Sequence, residues 1–166
     1  MNRRPTTARH RGAGRGGILW LMVGILAIAL LVQRFRSDPV DLVAWQPTSV
    51  VTAGADAPVD DKPVLLYFTA TWCGPCKDVK RAIYSRQDAA DRLADMVTPV
   101  KVDVSDPTSP QPLAVQYQVH SIPTFILVEH DGTVLSRAAG SMGRDAFFDW
   151  LARGLARRSA TSDNAL

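Results

Sequence analysis

Hydrophobic and polar positions follow several distinct rhythms along this chain of 166 residues. Residues 16–32 form an uncharged, mostly apolar run of 17 residues, flanked by Arg15 and Arg34. As a helix rising about 1.5 Å per residue it spans roughly 26 Å, near the lower limit for crossing a bilayer, and flanking arginines extend such a span by carrying their charge to the interfaces. Farther on, Val64-Leu65-Leu66-Tyr67-Phe68, preceded by the breaker Pro63, predicts a buried central strand. Val79, Ala82 and Ile83 then recur at helical spacing, with Asp78, Lys80 and Arg81 on the solvated side. A second helical run covers residues 88–95, followed by a strand over 97–104, a Pro/Ser/Asp linker over 105–112 and a short helix around 113–117.

In the last third the rhythm changes to a hairpin. Pro123 opens Thr124-Phe125-Ile126-Leu127-Val128, His130-Asp131-Gly132 supplies turn chemistry, and Thr133-Val134-Leu135 begins the returning strand. Ala146, Phe147, Trp150, Leu151 and Leu155 then form one apolar stripe on a closing helix whose start is marked by residues 141–144. Strands alternating with helices, then an antiparallel pair, predict an α/β fold with a central mixed sheet flanked by helices. The expected organisation is a basic tail over 1–15, a transmembrane signal anchor over 16–33, a linker with a first strand and helix over 34–60, a core over 61–157 and a polar flexible tail over 158–166.

Charge sharpens the reading of the first segment. Residues 1–36 hold seven arginines and no acid, so with +3 overall the other 130 residues carry −4. The basic balance belongs to the anchor, and no basic face for nucleic acid is implied. Five arginines precede the apolar run and two follow it, which by the positive-inside tendency puts the N-terminus in the cytoplasm and the rest of the chain outside, in a bacterial periplasm. A cleaved signal peptide is the competing reading. Its small-x-small site would be Ala27-Ile28-Ala29, but that lies inside the apolar run rather than after it. Arg3-Arg4 is followed by Pro5-Thr6-Thr7, which is not a twin-arginine continuation.

The chemistry lies in Trp72-Cys73-Gly74-Pro75-Cys76-Lys77, which contains both cysteines of the chain. A structural zinc site needs four ligands, and no second cysteine pair exists, while His10, His120 and His130 are scattered. Haem attachment needs a histidine where Lys77 stands. A purely structural disulfide would close a very short loop, where constraint of the unfolded chain contributes least. A redox dithiol is the reading that remains best supported. It falls where a strand hands over to a helix N-terminus, whose unpaired amides and dipole favour an anion by about 0.3 to 2 kcal/mol. At about 1.36 kcal/mol per pKa unit, that lowers a thiol pKa by a few tenths to roughly 1.5 units. Cys73 is therefore the expected nucleophile, with Cys76, one turn in, expected to be more buried and to act second. Gly74 shapes the turn, and Pro75 suits the first helical turn because its missing N–H would be unpaired there.

These residues resemble the active-site motif of the thioredoxin family, and the resemblance extends over residues 40–157. Val100-Lys101-Val102-Asp103-Val104 is similar to the next thioredoxin strand, Ser121-Ile122-Pro123-Thr124 to its cis-proline loop, and Gly140 to the glycine after its hairpin. Tyr84-Ser85 and the helical run after it look more like the C-terminal periplasmic domain of the disulfide reductase DsbD. The resemblance implies a thiol:disulfide oxidoreductase with Cys73 and Cys76 as catalytic residues and no cofactor. Trp72, Gly74, Pro75, Lys77, Tyr67 and Lys101 would support the site. Pro123 would be cis, and the Ile122 backbone would pair with an extended cysteine-containing substrate. His120 reads as a surface contact beside this loop.

The chain also departs from the family pattern. Tyr67 stands where thioredoxins carry a buried aspartate, and a phenol of ordinary pKa about 10 is a poor base near neutrality. Lys101 matches the lysine beside that aspartate, so its usual partner is missing. Thr71 replaces an often acidic residue. Expected partners are cysteine-containing exported proteins, the inner membrane through residues 16–33 and a transmembrane electron donor. An oxidase or isomerase direction, and a membrane-held binding module without redox turnover, are the competing functions.

Overall fold

The computed structural model describes residues 15–35, 39–52, 61–106 and 111–163. Its two compact units are residues 1–38 and 39–166. The first contains helix α1, Arg15–Phe35. Side chains are described for residues 17–32 of it, and Ile18, Leu19, Trp20, Leu21, Ile25 and Ile28 are all exposed. Among the described residues no helix is long and apolar enough to cross a membrane.

The second unit is built on a four-stranded sheet in the order β2-β1-β3-β4. Strand β1 is Val64–Thr69, β2 is Thr98–Asp103, β3 is Thr124–Val128 and β4 is Val134–Ala139. β1 pairs parallel with β2 and antiparallel with β3, and β3 pairs antiparallel with β4. This is the mixed sheet that the change of rhythm predicts. Every residue of β1 is buried, which is why that stretch reads as a continuous apolar run. Its alternate residues serve two cores. Leu65 and Tyr67 face one with Val79, Leu93, Phe125, Phe147 and Leu151, while Leu66 and Phe68 face the other with Val100, Val102, Leu113 and Ile126.

The helices cover both faces. Between α2, Ser49–Thr52, and the end of the chain come α3, Gly74–Val79, α4, Gln87–Met96, α5, Gln111–Gln116, and α6, Arg144–Asp163. α3 runs on into a π-helical stretch, Lys80–Tyr84, which the 3.6-residue rhythm of Val79, Ala82 and Ile83 does not reveal. In α4 the buried residues are Ala89, Ala90 and Leu93, matching the predicted helical run. α6 crosses the sheet closely enough that a Cβ on Gly154 would stand 2.8 Å from Leu127 Cδ2 and 3.0 Å from Ser136 Cβ. Helix α6 also outlasts the sequence expectation. Residues 158–163, read as a flexible tail, are helical, and Arg158 reaches Glu129 at 2.9 Å and Asp61 at 3.1 Å. Residues 164–166, the tail 1–14, parts of the linker, 36–38 and 53–60, and residues 107–110 of the second predicted linker lie outside the described residues.

The segment over 39–46, read as linker, docks on the sheet. Gln46 makes a parallel bridge to Val100, Leu42 N–H donates to the Tyr84 carbonyl at 2.8 Å, and Ser85 Oγ bonds the Val40 carbonyl. The first strand expected in the linker is thus reduced to a single bridge at the β2 edge.

Candidate active site

β1 ends at Thr69 and the chain turns through Ala70, Thr71 and Trp72 into the first residue of α3. Cys73 is the N-cap of that helix, in extended conformation, and its Sγ accepts the Cys76 N–H at 3.2 Å. A thiol there receives the amide that helix termini otherwise leave unpaired, which favours its anionic form. Cys73 and Cys76 are joined as a disulfide with Cα atoms 5.3 Å apart. Pro75 lies in the first turn of α3, where its lack of an N–H costs nothing. The expectation that Cys76 is the more buried sulfur does not hold in this oxidised form, since both cysteines are 3% exposed. Ala70 is buried with them, and Val104 and Ile122 pack against the group.

Trp72 projects outward, 72% exposed. Thr71 bonds Ser105 through both its N–H and its hydroxyl at 3.2 Å, tying the turn to the end of β2. On the other side lies the loop before β3, where the Ile122–Pro123 peptide is cis, as the family resemblance implies. Gly140, at φ +91°, donates its N–H to the Pro123 carbonyl at 2.8 Å, a backbone shape that glycine adopts without strain. Between the turn and this loop runs an open groove of about 710 Å³, lined by Trp72, Val104, Ala114, Val115, Val119 and Ile122. His120 also lines it.

Behind the dithiol stands Tyr67. Its hydroxyl is 3.4 Å from the Cys76 carbonyl oxygen, and its ring stacks between Trp45 at 5.7 Å and Phe125 at 5.2 Å. Burial, its largest influence, pushes its pKa up to about 12, with Asp41 and Asp103 pushing the same way and a hydrogen bond with Thr69 opposing them. Tyr67 is therefore a neutral phenol through the physiological range. Lys101, which the sequence leaves without its partner, has one. Its ammonium lies 3.2 Å from Asp41 Oδ2 and 5.5 Å above the Trp45 ring, and the same carboxylate oxygen accepts the Trp45 indole N–H at 2.9 Å. Asp41 and Trp45 were missed in the sequence because they lie in a segment without periodicity. A tryptophan in an otherwise linker-like stretch was the one visible signal. Among the described residues no group of three or more His, Cys, Asp or Glu side chains is placed to hold a metal ion.

Comparison with known proteins agrees with this geometry. The family model for thioredoxin matches residues 49–153. The thioredoxin of Mycolicibacterium smegmatis is 42% identical over 85 residues, covering 51% of this chain and 71% of that protein. The thioredoxin of Mycobacterium tuberculosis strain H37Rv is 44% identical over 86 residues, covering 52% and 68%. Among solved structures, one described as DsbH oxidoreductase matches with a TM-score of 0.56 over 72% of this chain and 89% of its own, at 20% identity, a likeness of fold. With a Cys-x-x-Cys pair at a helix N-terminus beside a cis-proline loop, the chain belongs to the thioredoxin family and is a thiol:disulfide oxidoreductase.

Proposed function

We propose that this protein is a membrane-tethered oxidoreductase that reduces disulfides of exported proteins on the periplasmic side of a bacterial inner membrane. The observation that carries the reading is the presence, in one chain, of a thioredoxin-type dithiol and an arginine-flanked apolar helix. The backbone of α1 runs for 21 residues, and its described apolar side chains are exposed. Within it the apolar run of 17 residues spans roughly 26 Å at about 1.5 Å per residue, near the lower limit for crossing a bilayer, and the flanking Arg15 and Arg34 would extend it by carrying their charge to the interfaces. The arginine bias toward the N-terminal side supports export of the dithiol domain.

In the forward reaction the Cys73 thiolate attacks one sulfur of a client disulfide, and the other client sulfur leaves as a thiolate that takes up a proton. Cys76, losing its own proton, then attacks Cys73 Sγ and releases the second client thiol. The products are a reduced client and the Cys73–Cys76 disulfide seen here. The Ile122 backbone, beside the sulfurs, holds the client as an added extended strand, and the groove beside Trp72 receives its side chains. Gly74-Pro75 between the cysteines resembles reducing members of the family. An exported reductase must be reduced again, and this chain has no further cysteines to relay electrons. A transmembrane donor with its own dithiol is therefore the expected partner, and Tyr84-Ser85 followed by α4 supports a likeness to the C-terminal domain of DsbD.

Spheroplasts test the placement. After treatment with a membrane-impermeant reductant, an impermeant maleimide should label the cysteines in intact spheroplasts, and the protein should stay in the membrane pellet at alkaline pH. Labelling only after lysis, or release into the soluble fraction, overturns it. The protein should also accumulate as the dithiol in growing cells; a fully oxidised steady state would favour an oxidase instead.

A further inference from the structure

The charged and titratable groups behind the dithiol come from four elements. Tyr67 comes from β1, Lys101 and Asp103 from β2, Lys77 and Tyr84 from α3 and its π-helical continuation, and Asp41 from the docked segment before α2. Asp41 and Lys101 meet at 3.2 Å, and the carboxylate is the more enclosed, its side chain 16% exposed against 37% for the lysine. Trp45 fixes the carboxylate through its indole N–H, lies under the Lys101 ammonium and stacks on Tyr67. Tyr67 and Lys101 are also register partners on β1 and β2. The ion pair is thereby linked to Cys76 through two rings and one hydroxyl. The carboxylate's field reaches the phenols behind the dithiol, since Asp41 adds to burial in raising both Tyr67 and Tyr84.

We propose that Asp41 is a positioning residue that sets the redox potential of the Cys73/Cys76 pair by neutralising Lys101. The reduced form carries a thiolate, so the balance of charge behind it biases the equilibrium. A lone Lys101 ammonium stabilises the thiolate and makes the disulfide easier to reduce. A lone Asp41 carboxylate does the opposite. Paired, the two largely cancel, and the dithiol keeps the potential set by its helix N-terminus. This makes the potential depend on a segment outside the strand-helix core. The proposal rests on the thiol–disulfide chemistry above and not on the membrane placement.

The test equilibrates the full-length protein with glutathione, two glutathione thiols reducing one Cys73–Cys76 disulfide to a dithiol with release of glutathione disulfide. Reduced and oxidised protein are counted after alkylation, and the thiol pKa is read from thiolate absorbance. Asp41→Asn should lower the thiol pKa and raise the reduction constant about three- to tenfold, and Lys101→Met should shift both the other way. A tenfold change corresponds to about 30 mV for this two-electron couple. The double variant should fall between the two singles. Shifts of the same sign in both singles, or no shift in either with native circular dichroism, overturn the proposal. If Asp41→Asn does not fold, Lys101→Met decides alone, because its constant must fall. The wild-type protein must reduce insulin disulfides in the same buffers; failure there refutes the dithiol chemistry itself, while turnover with unshifted variants refutes only the role of Asp41.

Discussion

The two sides of the dithiol are built in different ways. In front are the exposed Trp72, the groove and the Ile122–Pro123 loop, whose chemistry-bearing parts, the turn over 72–77 and the loop over 121–124, are each short and contiguous in the chain. Behind are Tyr67, Trp45, Lys101 and Asp41, packed ring on ring and supplied by segments far apart in the chain. Lys101 and Asp41 are 60 positions apart, and Leu42 bonds the carbonyl of Tyr84. The front presents surface for a partner, and the rear fixes the electrostatics and rigidity of the sulfurs. Substitutions in front should alter how clients bind, and substitutions behind should alter stability and potential.

Removing the shared centre gives the largest effect. Cys73→Ser should lower disulfide reductase turnover by roughly a thousandfold or more, since hydroxyl is a far weaker nucleophile than thiolate. Retention of more than a tenth of the activity in an insulin reduction assay would contradict the assignment of Cys73. Next comes a contrast between two tryptophans. Trp45→Ala removes a ring packed on both Tyr67 and Tyr84 and should cost about 3 kcal/mol in urea unfolding, with little change in KM for a disulfide client. Trp72→Ala, at an exposed ring, should leave the urea midpoint within about 0.5 kcal/mol of wild type and raise KM about tenfold. If both variants changed the same parameter, the division between front and rear would fail.

Alkaline pH probes the rear through Tyr67. Tyr67 titrates at about 12 in the fold against about 10 unfolded, so the unfolded chain releases its proton first. The neutral phenol's contribution is fully present below pH about 10 and is lost as pH rises toward about 12. Thermal denaturation should show a falling Tm over that range, less steep in Tyr67→Phe. The smallest effect should be that of Tyr67→Phe at neutral pH. A phenol already neutral accepts no proton there, so kcat should stay within about twofold of wild type between pH 6 and 9; a lost limb in that pH profile would show that Tyr67 moves protons after all.

The front was legible in the sequence because its signals are local. A dithiol spacing, a proline opening a strand and a run of alternating core residues each sit within a few positions of one another. The sheet was legible for the same reason, and β1, β3 and β4 stand within a residue or so of where the apolar rhythm puts them. The rear was not legible, because its contacts join segments without periodicity. Tyr67 could be seen as a departure from the family, but the partner that Lys101 takes instead could not be read from a stretch containing Pro39 and Pro47. The C-terminal end of α6 was misjudged for a similar reason. Arg158 looks like part of a polar tail until Glu129 and Asp61 are brought beside it. The π-helical stretch after α3 was hidden because Val79, Ala82 and Ile83 fit an ordinary helix equally well.

The account turns on Cys73 as the attacking sulfur and Cys76 as the one that releases the client. Cys76→Ser expressed in the full-length protein tests this directly, with non-reducing electrophoresis and mass spectrometry of the trapped species. The account predicts client proteins and an electron donor joined to Cys73 by bonds that dithiothreitol breaks, in larger amount than in wild type. A folded Cys76→Ser variant that traps nothing, while Cys73→Ser traps partners on Cys76, would contradict it.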